Sequence, residues 1–388
     1  MLFRSTPELD AWRAEVQAFL RDEMRAADTH ADPTDLTGLS ESFERAHQLR
    51  AGARGYLAIS SSVEFGGGGR PPSWKATYSY EAAYHDAPSI DTALTLAGSA
   101  LEAFGNAEQK QALLPPMARG EIQACIAYTE PHAGSDLAAL STTADPVEGG
   151  FVLNGHKALI TGGHKADWCV TIARTNLEAP ARQSMTMFVL PTTTPGVQRT
   201  RRATANRWTL SEFTFTDALV PASAVLGEVG RGWQQVTSAL ADERSGMAHL
   251  GWATLLHEQL VDWARPIDNP LVADRLAQLD VELSIARRFA SRVMALQDTG
   301  HHPIAEASMS KVYVTELLQR LALAGVDLLG VDGLWHEVLF GPRAGAPLRG
   351  RFAYEIIERI HPTVSVGANE IQRDTIARFG LQLPVRRR

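Results

Sequence analysis

Two hydrophobic periods divide this chain. Over residues 7–26, Leu9, Trp12, Val16, Phe19, Leu20 and Met24 recur at three- and four-residue spacing, which predicts one apolar stripe on a helix. Thr6 is its natural N-cap and Pro7 suits the first helical position. A polar linker follows over 28–38, and Ser40 caps a second helix reaching about Arg50. Residues 73–118 are helical again, with Tyr78, Tyr80, Ala83 and the 94–101 run as buried positions and Pro115-Pro116 closing one segment. Between 122 and 215 the period shortens to runs at 151–153, 158–161, 168–172, 185–190 and 213–215, which predict strands. Gly149-Gly150 and Asn154-Gly155 predict turns between them, the second a hairpin. After Gly232 the helical period returns over 233–263, 271–297, 304–329 and 369–378. Three parts follow: an all-α N-terminal domain (1–120), a middle β domain (121–230) and a C-terminal domain (231–388) whose long helices suit a four-helix bundle.

Composition narrows the function classes. A chain of 388 residues, 45% hydrophobic and 21% charged, is long enough for several layers of core. Its formal net charge of −7 offers no general attraction to nucleic acid or to an anionic membrane, and the Arg386-Arg387-Arg388 tail is too short to reverse that. The N-terminus has no apolar signal core and no stretch approaches a membrane span, so a cytoplasmic protein is expected. Cys125 and Cys169, the two cysteines, lie among apolar neighbours and read as free buried thiols. His301-His302 precedes Pro303 without carboxylate or cysteine at ligand spacing, so it reads as a surface turn and no metal site is expected. The run Gly66-Gly67-Gly68-Gly69 lacks a following Lys-Ser/Thr and reads as a plain loop.

Candidate chemistry gathers at Cys125 to Leu137. An apolar run ends at Tyr128 and leads into Thr129, Pro131, Gly134 and Ser135. A strand end leaves backbone N–H groups without ladder partners, and hydroxyls both donate and accept. Such an edge suits a flat polar ligand such as an isoalloxazine ring, with Gly134 permitting close approach; an ordinary strand-to-loop exit fits the same spacing.

The run Tyr128-Thr129-Glu130-Pro131-x-Ala133-Gly134-Ser135-Asp136 resembles the signature of the acyl-CoA dehydrogenases, flavoenzymes that introduce a double bond between Cα and Cβ of an acyl thioester. Matching segments lie along nearly the whole chain. They include Phe104-Gly105-x-x-Glu108-Gln109-Lys110, Asn154-Gly155-x-Lys157-Ala158-Leu159-Ile160-Thr161-Gly162, Gly230-x-Gly232-Trp233, Ala307-Ser308-Met309-x-Lys311 and Gly367-x-Asn369-Glu370-Ile371-Gln372-Arg373. The resemblance implies an acyl-CoA dehydrogenase-like fold and FAD bound by Tyr128, Thr129, Gly134, Ser135, Leu159, Thr161 and Glu370, with Ser135 and Arg244 also toward substrate. Leu159 stands where relatives often carry an aromatic residue.

Family chemistry also requires a carboxylate base. Many relatives place it immediately before the glycine of the last motif, which is Val366 here; others place it in a Glu-Arg pair on a bundle helix, which Ala241-Asp242-Glu243-Arg244 resembles. Glu243 is thus the candidate base, with Asp242 and Glu370 as weaker alternatives. An exposed helix carboxylate paired with a neighbour is the plain alternative for Glu243. The Arg265-Pro266-Ile267-Asp268-Asn269 stretch and the Asp327 to Gly333 stretch only partly match segments that reach FAD across a subunit interface in relatives. Expected partners are an acyl-CoA or acyl-carrier-protein substrate, an electron-transfer flavoprotein or similar acceptor, and other subunits of a homo- or heterotetramer.

Overall fold

A computed structural model describes residues 3, 5–27, 38–88, 92–239, 246–340 and 345–384. The first apolar stripe forms α1 (Pro7–Ala27), where the Leu9 amide donates to Thr6 Oγ1 at 3.2 Å. In α2 (Glu41–Ala53) the Phe43 amide donates to the Ser40 hydroxyl, the cap that residue type favours. Then come α3 (Pro72–Tyr84), α4 (Thr92–Phe104) and α5 (Ala107–Ala118), the last opening on a reciprocal Asn106/Gln109 capping box and carrying Pro115 and Pro116 near its end. Leu9, Val16, Phe19 and Leu20 pack with Tyr56, Trp74 and Tyr78 into the core of this helical layer.

The middle part is one sheet of β1 (Ala124–Ala127), β2 (Thr143–Val147), β3 (Gly150–Thr161), β4 (Trp168–Arg174), β5 (Met185–Pro191), β6 (Val197–Ala203), β7 (Thr209–Pro221) and β8 (Val225–Leu226). The strand order is β6-β7-β3-β2-β4-β5-β8, with β1 pairing parallel to β4 so that the buried Cys125 and Cys169, neither in a disulfide, lie opposite each other in register. The pattern missed β2 and β6 because neither carries an apolar run: only Ala144 is buried in β2, and β6, at the sheet edge, exposes Arg199, Arg201 and Arg202. Asn154-Gly155 is not a hairpin turn. It lies inside the continuous β3, where Asn154 exchanges hydrogen bonds with Asp217 of β7 and where a Cβ on Gly155 would stand 2.4 Å from Thr142 Oγ1. Close approach of a neighbouring chain, with a register shift beside it, is what that glycine serves. The hairpin turn falls at Glu148-Gly149 instead, joining β2 to β3.

Helices return as α6 (Gly232–Ala239), α7 (Met247–Ala264), α8 (Pro270–Gln297), α9 (Ile304–Leu329), α10 (Arg351–Glu358), α11 (His361–Val364) and α12 (Asn369–Thr375). The single helix read over 233–263 is divided, because Gly246 takes a left-handed φ of 73° that a helix cannot pass through. Leu250, Leu256, Leu260, Leu279, Leu283, Leu317 and Leu321 form the bundle core, which Phe352 of α10 closes. Two joints bind the parts together. Ala97, Ala100 and Leu101 of α4 pack with Val170, Ile172, Met185 and Met187 of the sheet, and α3 lies directly on α7.

At the α3/α7 joint a Cβ on Gly251 would sit 2.3 Å from the Tyr80 carbonyl oxygen. Gly251→Ala would gain about 1 kcal/mol of helix propensity, yet forcing the two helices apart costs about 1–3 kcal/mol. Net destabilisation is expected, seen as a lower urea midpoint; an unchanged or higher midpoint would show that the joint yields freely.

Candidate active site

Where β1 ends, three consecutive residues are gripped by β3. Lys157 Nζ, fully buried, donates to the Tyr128 carbonyl at 3.2 Å and to Glu130 Oε1 at 2.9 Å, and the next amide, that of Ala158, donates to the Thr129 carbonyl at 2.9 Å. The Glu130 carboxylate is saturated: the amides and hydroxyls of Ser141 and Thr142 all donate to it. A two-way backbone bridge between Glu130 and Ala133 then closes the tight turn through Pro131 and His132. Burial raises the Glu130 pKa, but the Lys157 charge and the donated hydrogen bonds outweigh it and hold the carboxyl down at about 2. Burial lowers the Lys157 pKa below its ordinary value, and the Glu130 carboxylate, 2.9 Å from Nζ, opposes that shift.

Around this anchor lie exposed groups. Thr129 is half-buried, Gly134 and Ser135 are exposed, and a Cβ on Gly134 would meet nothing within 4 Å. Leu159 sits in a register shift of β3 with φ of 56°, leaving its side chain 67% exposed. That conformation is costly for a branched apolar residue, and it turns Leu159 out of the sheet while Ile160 stays buried. Thr161 ends the strand, half-buried. Among the described residues the hydroxyls of Thr129, Ser135 and Thr161 make no hydrogen bond. The Tyr128 ring is turned into the core, where its hydroxyl has no hydrogen-bond partner among the described residues, and its carbonyl accepts from Lys157.

A second anchor lies in the C-terminal bundle. Lys311 Nζ of α9 donates to the Gly367 carbonyl at 3.0 Å and to Asn369 Oδ1 at 2.7 Å, while the Ser308 hydroxyl donates to Gln372 Oε1 at 2.8 Å. Two separated sequence motifs, 307–311 and 367–373, thus meet as one latch. It holds Val366 at φ of 53°, 37% exposed, an outlying conformation for a β-branched residue. Glu370 is exposed at the start of α12, and among the described residues no hydrogen bond links it to the middle-domain groups. Asp242, Glu243 and Arg244 lie outside the described residues. On α7, desolvation and then the charges of Arg359, Lys311 and His361 push the His249 pKa down to about 3, so that imidazole is neutral at physiological pH.

Comparison with known proteins settles the family. The acyl-CoA dehydrogenase N-terminal, middle and C-terminal domain models match residues 6–121, 125–218 and 230–381. The chain belongs to the acyl-CoA dehydrogenase family. FadE26 of Mycobacterium tuberculosis is 31% identical to this dehydrogenase over 86% of each chain, and FadE29 of the same organism is 28% identical over 99% of each. Among solved structures, the Tcur3481-Tcur3483 steroid acyl-CoA dehydrogenase superposes with a TM-score of 0.89 at 27% identity, covering 99% of this chain and 100% of that one. The ChsE4-ChsE5 complex from Mycobacterium tuberculosis gives 0.87 at 26% identity, covering both chains completely. The dehydrogenase is therefore an FAD-dependent oxidoreductase, and the α, β, α architecture expected for it is the one formed. No helix of the described residues is long and apolar enough to cross a membrane.

The groups left unused fit a flavin: the unpaired hydroxyls of Thr129 and Ser135, beyond the end of β1, and of Thr161, at the end of β3, could meet a polar ring edge, and exposed Leu159 offers apolar cover. The anchor beneath them has a pH signature. Glu130 has its pKa lowered from 4.5 to about 2, so its contribution to stability is complete above pH 4.5 and is lost as the pH falls toward 2. Thermal melts of wild type and Glu130→Gln should be well separated near neutrality and converge as the medium is acidified through that window. A separation that stays constant with pH would mean that Glu130 is not an ionised partner of Lys157.

Proposed function

We propose that this dehydrogenase carries out α,β-dehydrogenation of an acyl thioester with Glu243 as the base, and that FAD rests against Thr129, Gly134, Ser135, Leu159 and Thr161. The observation that carries this reading is the set of unpaired hydroxyls and the outward-turned Leu159 gathered on one rigid anchor. Bound FAD supplies the acceptor for the hydride leaving Cβ. The protein's share is orientation and proton removal: Thr129 and Thr161 hold the polar edge of the ring, Leu159 shields a face from water, and Ser135 faces the substrate side. Val366 has no proton acceptor, although its turn is as firmly latched as a base would require. The Glu243 carboxylate then takes the α-proton, and Arg244 balances its charge or contacts the substrate. Glu370 is assigned to the flavin of an assembled oligomer, since it is exposed and remote in hydrogen-bond terms from the middle-domain groups.

A second reading places this chain in a heteromer whose partner completes the FAD site or supplies the base. Two observations favour it. Both structural neighbours cited above are named as pairs of different chains. In addition, Val331, Leu334 and Trp335 are exposed just beyond α9, while Arg265 is engaged locally with Asp262. The steroid named for one neighbour agrees with a bulky acyl group, carried on CoA or on a carrier protein. An electron-transfer flavoprotein or similar acceptor would take the electrons onward.

Glu243→Gln keeps size and hydrogen bonding while removing basicity, so folding and FAD content should be unchanged. Flavin bleaching by an acyl-CoA without oxygen should slow by about two to four orders of magnitude. Bleaching at the wild-type rate would move the base to a partner chain and favour the heteromer.

A further inference from the structure

We propose that Lys157 is a positioning residue for the cofactor: by joining the Tyr128 carbonyl to the Glu130 carboxylate, it fixes the strand end bearing Thr129 against the one bearing Leu159 and Thr161, and so sets how tightly FAD is held. This rests on the placement of FAD proposed above. Across this gap the backbone supplies the Ala158-to-Thr129 hydrogen bond, and one such bond is a pivot. Lys157 adds a contact on either side of it, at residue 128 and at residue 130, which removes the rotation of residue 129. The same carboxylate then fixes 141–142, and through the Glu130/Ala133 bridge it fixes the turn that delivers Gly134 and Ser135. Every candidate flavin contact of the middle domain therefore lies within a few residues of this pair.

Stability alone does not account for charges at this depth. Burying an ammonium and a carboxylate carries a desolvation cost that their attraction only roughly offsets, and apolar replacements of a whole buried pair are often neutral or stabilising. What an apolar pair cannot reproduce is a directed three-point grip on a carbonyl, a carboxylate and, through it, four further donors. Lys157 is enclosed within the protein, so its part is to place other groups and not to touch the substrate.

The double variant Lys157→Met/Glu130→Gln removes both charges without stranding either. Its apoprotein should melt close to wild type, while the FAD dissociation constant, read from quenching of flavin fluorescence, rises about tenfold or more. The visible bands of the flavin it still binds should lose their fine structure as the ring becomes mobile. Thr161→Val is measured beside it, because it reports on the location of FAD independently of the anchor. Weakening in both variants supports the proposal. Weakening in Thr161→Val with unchanged affinity and bands in the double variant would leave the cofactor site standing and overturn the role of Lys157. No change in either variant would overturn the placement of FAD, and the proposal with it. Should the double variant fail to fold, Lys157→Gln/Glu130→Gln keeps a donor at the same depth and is compared with wild type in its place: a raised FAD dissociation constant is expected, and an unchanged one overturns the role of Lys157.

Discussion

A lysine and a glutamate sealed together at the end of β1 are the constraint on which the candidate site depends. Each would be costly alone, since an unpaired charge at that depth has no water to turn to. Together they convert a strand exit, ordinarily a mobile place, into a fixed platform: Tyr128 to Glu130 cannot turn, 141–142 cannot drift, and β3 must run alongside. With the platform immobile, neighbouring residues can be left exposed and unsatisfied. Thr129, Ser135 and Thr161 keep hydroxyls without hydrogen bonds among the described residues, the first and last half-buried, and Leu159 is exposed, which is what a site needs before its ligand arrives.

The bundle repeats this logic with a different residue set. Lys311, Ser308, Asn369 and Gln372 hold a turn in which Val366 adopts a left-handed φ. Strain in a β-branched residue persists only where its surroundings over-determine it. The turn is thus built to present residue 366 in one orientation, yet the side chain presented is a hydrocarbon. This separation of a preserved geometry from a missing proton acceptor is why the chemistry is assigned to another carboxylate, on this chain at Glu243 or on a partner.

The architecture was legible where the physics is local and periodic. α1, α8 and α9 follow from three- and four-residue apolar spacing, and the caps at Thr6 and Ser40 from side chains that accept an orphan amide. It was not legible where a residue type serves a non-local purpose. Asn154-Gly155 has the composition of a turn, but Gly155 is there for the approach of Thr142, at the open end of the β2–β3 hairpin whose turn lies at Glu148-Gly149. β6, rich in arginine, hides its strand character because an edge needs no apolar alternation. In the candidate site, Thr129 and Thr161 could be named from motif resemblance, and the structure leaves their hydroxyls unpaired. Tyr128 could not be judged, since nothing in the sequence tells which way its ring turns. The Glu130–Lys157 and Lys311–Asn369 pairs join residues 27 and 58 apart, and no spacing rule predicts them. Both members of each pair stood in recognised motifs, which was the available signal.

The central claim is that FAD lies on the platform with a carboxylate of the 241–244 segment across the acyl chain from it. A structure of the FAD-loaded enzyme with a bound acyl thioester, in its native oligomer, tests this most directly. The account predicts the polar edge of the flavin ring against Thr129 and Thr161, Leu159 covering the ring, and the Glu243 carboxylate beside the substrate Cα on the face opposite the flavin. A flavin ring bound away from β1 and β3, or a Glu243 turned to solvent with no other subunit's carboxylate at Cα, would contradict it.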